Sequence, residues 1–200
     1  AVRLKGGPAA SGQPGPELLD DAFRQLRAAF DPERGGVGGA PKFPTPHQFL
    51  FLLRYWDRNG ESRALSMAET TLRAMRRGGV YDHVGFGFHR YSTDANWHLP
   101  HFEKMLYDQA MMTIACTETY LATGEAWYAQ TAREVIEYVL RDLTDSRGGF
   151  CSAEDADSEG VEGKFYLWSM EEIGEALGDE DAALAARAFG LTEEGNVADE

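Results

Sequence analysis

Between Asn96 and Ala110 the chain reads NWHLPHFEKMLYDQA, which sets His98, His101 and Glu103 within six positions of one another. Imidazoles change charge near neutral pH, and with a carboxylate beside them they either hold a divalent metal or move protons. The spacing HxxHxE matches neither HExxH nor its inverted form, so no metal and no cofactor is expected. His101 and Glu103 are expected near the first turn of a helix, facing a cavity, as an acid/base pair. His98, Trp97 and Tyr107 are expected beside them as binding groups.

The preceding loop, YDHVGFGFHRY, interleaves Tyr81, His83, His89 and Arg90 with glycines. A forked guanidinium and aromatic faces suit a polyhydroxylated ligand; the same residues could instead pin the loop through their own hydrogen bonds. GFGF lacks the third glycine and the preceding strand of a dinucleotide fingerprint. Farther on, AEDADSEGVEGKFY offers an acidic run. Its D-x-D-x-x-G resembles a calcium loop, but Tyr166 stands at the twelfth position, where a bidentate glutamate is required. Asp155 is expected as a carboxylate of an acid/base pair, with Glu103 or Asp108 as partner, and Asp157 as a binding residue. Lys42 and Phe43, from APKFP, complete the candidate set.

Helices must position these groups. Leu19, Ala22, Phe23, Leu26 and Phe30 recur at helical spacing, as do Leu65, Ala68, Leu72 and Met75, and Tyr128, Thr131, Val135 and Tyr138. After each such amphipathic helix comes RGGV, RGGV or RGGF, at Arg34, Arg77 and Arg147, whose glycines suit left-handed helix C-caps. A long loop follows, and then a helix of another kind. Phe49 to Trp56 and Met105 to Tyr120 leave hardly a polar face, which predicts burial on all sides. TPHQ from Thr45 and SMEE from Ser169 read as capping boxes. The unit is outer helix, turn, loop and inner helix, with a fourth outer helix over Glu180–Phe189. The pattern predicts an all-α array whose natural closure is a ring, the other arrangement of such hairpins being an open solenoid, with short strands in the long loops.

The formal charge of −14 disfavours nucleic acid and anionic membranes as partners, and no apolar run has the length of a spanning helix. Hydrophobic residues make up 43%, enough for a sizeable core. Residues 1–16, rich in Gly, Pro, Ala and Ser, read as a flexible linker, and 17–200 as a domain whose last repeat is incomplete. Cys116 and Cys151 form no CxxC; both are expected reduced and buried, and the compartment cytoplasmic.

GGAPKFP, YDHVGFGFHRYSTDANWHLPHFEKMLYDQA and CSAEDADSEGVEGKFYLWS resemble the loops of the spermatogenesis-associated protein 20 family, over roughly Gly35 to Asn196. The resemblance implies an (α/α)6 toroid of the six-hairpin glycosidase type, similar in shape to N-acylglucosamine 2-epimerase, of which this chain would form about the first half. It implies a thioredoxin-like domain and the remainder of the toroid as partners lying outside this sequence. It further implies a carbohydrate-like small-molecule ligand and a sugar epimerase, isomerase or glycosidase activity in which His101 and His89 exchange protons. The other reading it leaves open is a non-catalytic toroid that binds a ligand or client for a thioredoxin-like protein.

Overall fold

The computed structural model describes residues 15–195. The expected linker therefore lies almost wholly outside the described residues. Seven helices follow: α1 (Glu17–Ala29), α2 (Pro46–Asn59), α3 (Ser62–Arg77), α4 (Leu106–Thr123), α5 (Ala126–Asp142), α6 (Met170–Leu177) and α7 (Asp179–Phe189). Among the described residues no helix is long and apolar enough to cross a membrane. α2 pairs with α3, α4 with α5 and α6 with α7, while α2 also packs on α4. The apolar stripes read from the sequence are the packed ones. Ala64, Met67, Ala68, Leu72 and Met75 of α3 are all but sealed, as are Tyr128 and Val135 of α5. Phe23 is the one buried residue of α1, and its ring stacks on Tyr55 of α2 at 4.5 Å.

Three expectations need correction. The inner helices are not buried all round: α4 buries Gln109, Met112, Ala115, Cys116 and Thr119, but Tyr107, Ala110, Ile114, Thr117 and Leu121 form an exposed stripe at helical spacing. The RGG glycines are not left-handed helix C-caps. Left-handed caps are Gly60, Gly124 and Gly190, whereas Gly78 follows α3 in an extended conformation, with φ −86°. What Gly78 and Gly79 supply is room, because a Cβ on either would run into the carbonyl oxygen of Trp97 or His98. Finally, Thr45 caps nothing. It sits at φ 47°, without a side-chain bond to α2, and only Ser169 forms its capping box, with Glu172. Pro46 does open α2, where its missing N–H costs nothing.

Of the two cysteines, Cys116 is buried and burial pushes its thiol up to about 12; Cys151 is exposed, against expectation, because it follows a turn on the rim.

The three long loops, 30–45, 78–105 and 143–169, are joined by very short ladders. Strands β1 (Tyr91–Ser92) and β2 (Pro100–His101) pair within the second loop, and β5 (Asp157–Ser158) and β6 (Val161–Glu162) within the third. β3 (Lys104–Met105) pairs with β4 (Ala153–Glu154), which ties the second loop to the third. Lys42 and Ser92 exchange backbone hydrogen bonds at 2.8 and 2.9 Å, tying the first loop to the second. The loops thus form one hydrogen-bonded rim.

Gly79→Ala is expected to cost about 2–3 kcal/mol in urea unfolding, because backbone must move to admit the methyl group. Gly38→Ala, at φ 84° but in open space, is expected to cost only about 1 kcal/mol.

Candidate functional site

On the rim, planar side chains from two loops form a continuous series. The Phe43 ring lies 4.8 Å from Tyr91, and Tyr91 stacks on His101 at 4.9 Å with an interplanar angle of 18°. The β1–β2 register explains the second contact, since Tyr91 and His101 are cross-strand partners. Phe43 reaches them through the Lys42–Ser92 bridge one residue away. Beside the series, Arg90 donates to Glu103 at 2.6 Å, and the same Glu103 oxygen, Oε2, lies 3.8 Å from His101 Nε2. Glu103 above all, with Tyr107 also beside it, holds Arg90 above its ordinary range.

His101 is thus not on the helix as expected; it is in β2, before α4 begins. Its Nδ1 lies 2.6 Å from Oε1 of Glu162 on β6. That carboxylate accepts, so Nδ1 carries a proton, and Nε2 faces Glu103. A 3.8 Å gap is too long for a direct hydrogen bond between the two groups. Glu162 and Tyr91 are the rim groups that sequence reasoning did not place in the site. The hairpin turn at Glu159 and Gly160 was the available sign that Glu162 folds back.

Asp108, in the first turn of α4, has Oδ2 buried without a hydrogen-bond partner. Burial chiefly, and Glu103 in the same sense, lift its carboxyl to about 6 against the opposing pull of Arg90.

Other expected site residues are occupied elsewhere. Lys42 is buried: its ammonium donates to Asp31, to the Gly35 carbonyl and to the Ala95 carbonyl at 2.8–3.1 Å, and lies over the Trp97 ring. Trp97 is itself fully buried, with Nε1 donating to the Arg34 carbonyl. Tyr81 is sealed with its hydroxyl on Glu134. His83 accepts from Arg76 and so braces the second loop against α3. His89 is only 2% exposed, bonded through Nδ1 to the Phe102 carbonyl and packed edge-on against Phe102 and Tyr166. Burial, with the Lys104 charge in support, drives it down to about 4. A sealed, neutral imidazole is a core group rather than a proton shuttle. His98 is exposed, and Asp155 spends Oδ1 on the amide of Asp157. Neither Asp155 nor Asp157 is brought to His101 or Glu103 by a hydrogen bond; Asp157 stands opposite Glu162 in the β5–β6 ladder. Among the described residues no three His, Cys, Asp or Glu side chains are grouped to hold a metal ion.

Lys104, just below the rim, is buried with Asp82 at 2.8 Å and the Phe86 carbonyl at 2.9 Å, over the rings of Tyr138 and Tyr166. Burial alone would raise Asp82, but Lys104 and the amides of Gly85 and Val84 hold it below its ordinary value. Glu154 accepts from both tyrosines. A largely apolar cleft of about 860 Å³ adjoins this layer, lined by Pro100, Phe102, Glu162, Tyr166 and Trp168 among others.

Lys104→Ala should destabilise the fold by about 3–5 kcal/mol in urea titration, since Asp82 would remain buried and unpaired. His89 and Asp108 act oppositely on stability. Between pH 6.5 and about 4 the unfolded chain binds a proton at His89 that the folded chain refuses, so acid removes stability; between 3.8 and about 6 the folded chain holds a proton at Asp108 that the unfolded chain has lost, so acid restores it. Each contributes at most about 1.4 kcal/mol per pH unit. Asp108→Asn should therefore lose stability more steeply than wild type as pH falls from 6 to 4, measured by urea midpoints at each pH.

No family model matches the chain. It is 44% identical over 195 aligned positions to human spermatogenesis-associated protein 20, covering 88% of this chain and 25% of that protein. An uncharacterised protein of Caenorhabditis elegans is 36% identical over 208 positions, with 91% and 27% covered. The chain thus spans about a quarter of the length of these curated relatives. Among solved structures it is similar to a cellobiose 2-epimerase from Bacillus thermoamylovorans, at TM-score 0.61 and 14% identity, over 86% of this chain and 53% of that one. It is also similar to a family 76 glycoside hydrolase, a mannosidase from Bacteroides thetaiotaomicron, at TM-score 0.57 and 17% identity, over 87% and 52%. At such identities the likeness establishes the fold, and it is the α/α toroid, about half of whose ring this chain matches. By its sequence over 88% of its length, the chain belongs to the spermatogenesis-associated protein 20 family.

Proposed function

We propose that the rim is a carbohydrate-binding site and that His101, with Glu103, transfers a proton at a sugar carbon or hydroxyl. One observation carries this reading: the Phe43–Tyr91–His101 series of rings stands beside the Arg90–Glu103 ion pair. Sugar rings present C–H groups on their faces and hydroxyls on their edges, which such a platform and such a fork would receive together. Glu162 fixes the His101 tautomer and leaves Nε2 as the base. Removal of a proton from the carbon beside a sugar carbonyl, and its return to the other face, is epimerisation; delivery of a proton to a glycosidic oxygen is the first step of hydrolysis. The toroids of similar fold are a cellobiose 2-epimerase and a glycoside hydrolase, which supports the ligand class.

A second reading is a toroid that binds without turnover, beside a thioredoxin-like partner. It is favoured by the engagement of His101 with Glu162, a contact that also fastens the second loop to the third.

Incubation with free aldoses, N-acylhexosamines and glycosides in heavy water separates the two. Deuterium incorporated at carbon, or released reducing sugar, is the expected result, with His101→Gln lowering turnover at least ~100-fold. Binding detected by calorimetry, weakened by Phe43→Ala but with no exchange or cleavage, would select the binding toroid.

A further inference from the structure

The three loops of the rim, 30–45, 78–105 and 143–169, carry eleven carboxylates and six cations, and every one of the six cations has a carboxylate partner. Lys42 and Lys104 are buried on Asp31 and Asp82, at 3.0 and 2.8 Å. Arg34 stands 3.7 Å from Glu33, Arg147 stands 3.2 Å from Asp145, and Lys164 pairs with Glu159. Arg90, the cation beside the ring platform, is held by Glu103 twice: its guanidinium donates to the side chain at 2.6 Å and its backbone amide to the carbonyl at 2.8 Å. A phosphate or carboxylate that seeks such a cation must also approach the carboxylate already on it.

The carboxylates around His101 are less fully engaged. Glu103 commits Oε2 to Arg90 and Glu162 commits Oε1 to the imidazole, while among the described residues the second oxygen of each accepts no hydrogen bond. They stand on opposite edges of the ring, Glu162 at Nδ1 and Glu103 at Nε2. Carboxylate oxygens receive hydroxyl and ammonium hydrogens and repel anions. The faces of Phe43 and Tyr91 work in the same direction, since an aromatic face attracts a cation. Helix ends do not reverse the balance: Asp108 occupies the first turn of α4, and α6 begins with its own Ser169–Glu172 capping box.

We propose that Glu103 and Glu162 set the charge selectivity of the rim, which takes neutral sugars, holds amino sugars more tightly and turns away sugar phosphates and sugar acids. The inference rests on the carbohydrate reading of the rim and names the ligand class within it. A sugar lying against the Tyr91 and His101 rings would stand between the two carboxylates. A charge there, partly exposed and screened by salt, changes affinity on the order of 10-fold.

Calorimetry on the full chain with glucose, glucosamine, glucuronate and glucose 6-phosphate tests this, because the four share a ring and differ in charge. At low salt and about pH 6.5, where the amine is protonated, glucosamine is expected to bind ~10-fold more tightly than glucose, and the two anions at least ~10-fold more weakly. The spread should shrink as salt is raised. Glu162→Gln keeps an acceptor and removes the charge, so it should narrow the spread by at least ~3-fold. Glu103→Gln also frees Arg90, and should bring the anions level with glucose or above it. An anion that binds the wild-type chain as tightly as glucose overturns the proposal, as does a spread unchanged in both variants. If the variants do not fold, the wild-type ranking decides, and a ranking that salt does not alter overturns the proposal. Such failures leave the carbohydrate reading standing, because sugars still bind. A panel in which no sugar binds removes that reading and this inference together.

Discussion

The rim exists because two ammonium groups are buried under it. Taking a lysine out of water is tolerable only where oxygen atoms replace its hydration, and each of these lysines gathers its oxygens from residues far apart in sequence. Lys42 collects Asp31, Gly35 and Ala95, and so pulls the first loop and the second around one point. Lys104 collects Asp82 and Phe86 and lies between the rings of Tyr138 on α5 and Tyr166 on the third loop. Loss of either cation would leave inward-facing carbonyls and a carboxylate unpaired. The backbone conformations follow from the same demand. Trp97 holds φ 65°, a costly value for a bulky residue, while Asp94 accepts from the amides of Asn96, His98 and Leu99 and fixes the turn.

Rigidity at that layer explains how two-residue strands can orient a site. Ladders as short as β1–β2 and β3–β4 have little stability of their own in water. Here they are held from below by the cations and by the Phe102–Tyr166–His89 cluster, so Tyr91 and His101 stay in register. His89 belongs to that support. Its depressed basicity is the consequence of serving as a packed ring with one satisfied nitrogen, and a charge there would face Lys104.

How much of this the sequence displayed differs by element. The helices were legible because an apolar stripe repeats over several turns; α3 and α5 carry the stripes that begin at Leu65 and Tyr128. The capping box at Ser169 was legible because it is local. The box at Thr45 failed because tertiary contacts of the first loop, tied down at Lys42, decide how the chain enters α2. Lys42 itself reads as an exposed cation in any local window, and only the fold reveals that its acceptors converge from two loops. The RGG repeat was correctly read as punctuation, but the glycines of its first two copies answer to close approach by Thr71, Trp97 and His98, and none is a left-handed helix cap. Of the proposed site, Phe43, Arg90, His101, Glu103 and Tyr107 were visible as chemically able residues near one another in sequence. Glu162 was not, since no local pattern says that a hairpin of the third loop will reach across to β2.

The difference between His89 and His101 shows what separates a functional imidazole from a structural one in this fold. Both follow glycine-rich or proline-containing turns, and both lie in the second loop. His89 points down, where the only acceptor is a carbonyl and its neighbours are aromatic edges and an ammonium. His101 points along the rim, between two carboxylates, with one side stacked on Tyr91. At His89 burial and the nearby ammonium of Lys104 disfavour a positive charge on the ring. The place of His101 is fixed by the β1–β2 register, which makes it the cross-strand partner of Tyr91, and a shift of one residue would put another side chain there. The register of a ladder two residues long, held by a buried lysine on either side, is therefore the feature on which the chemistry of the rim turns.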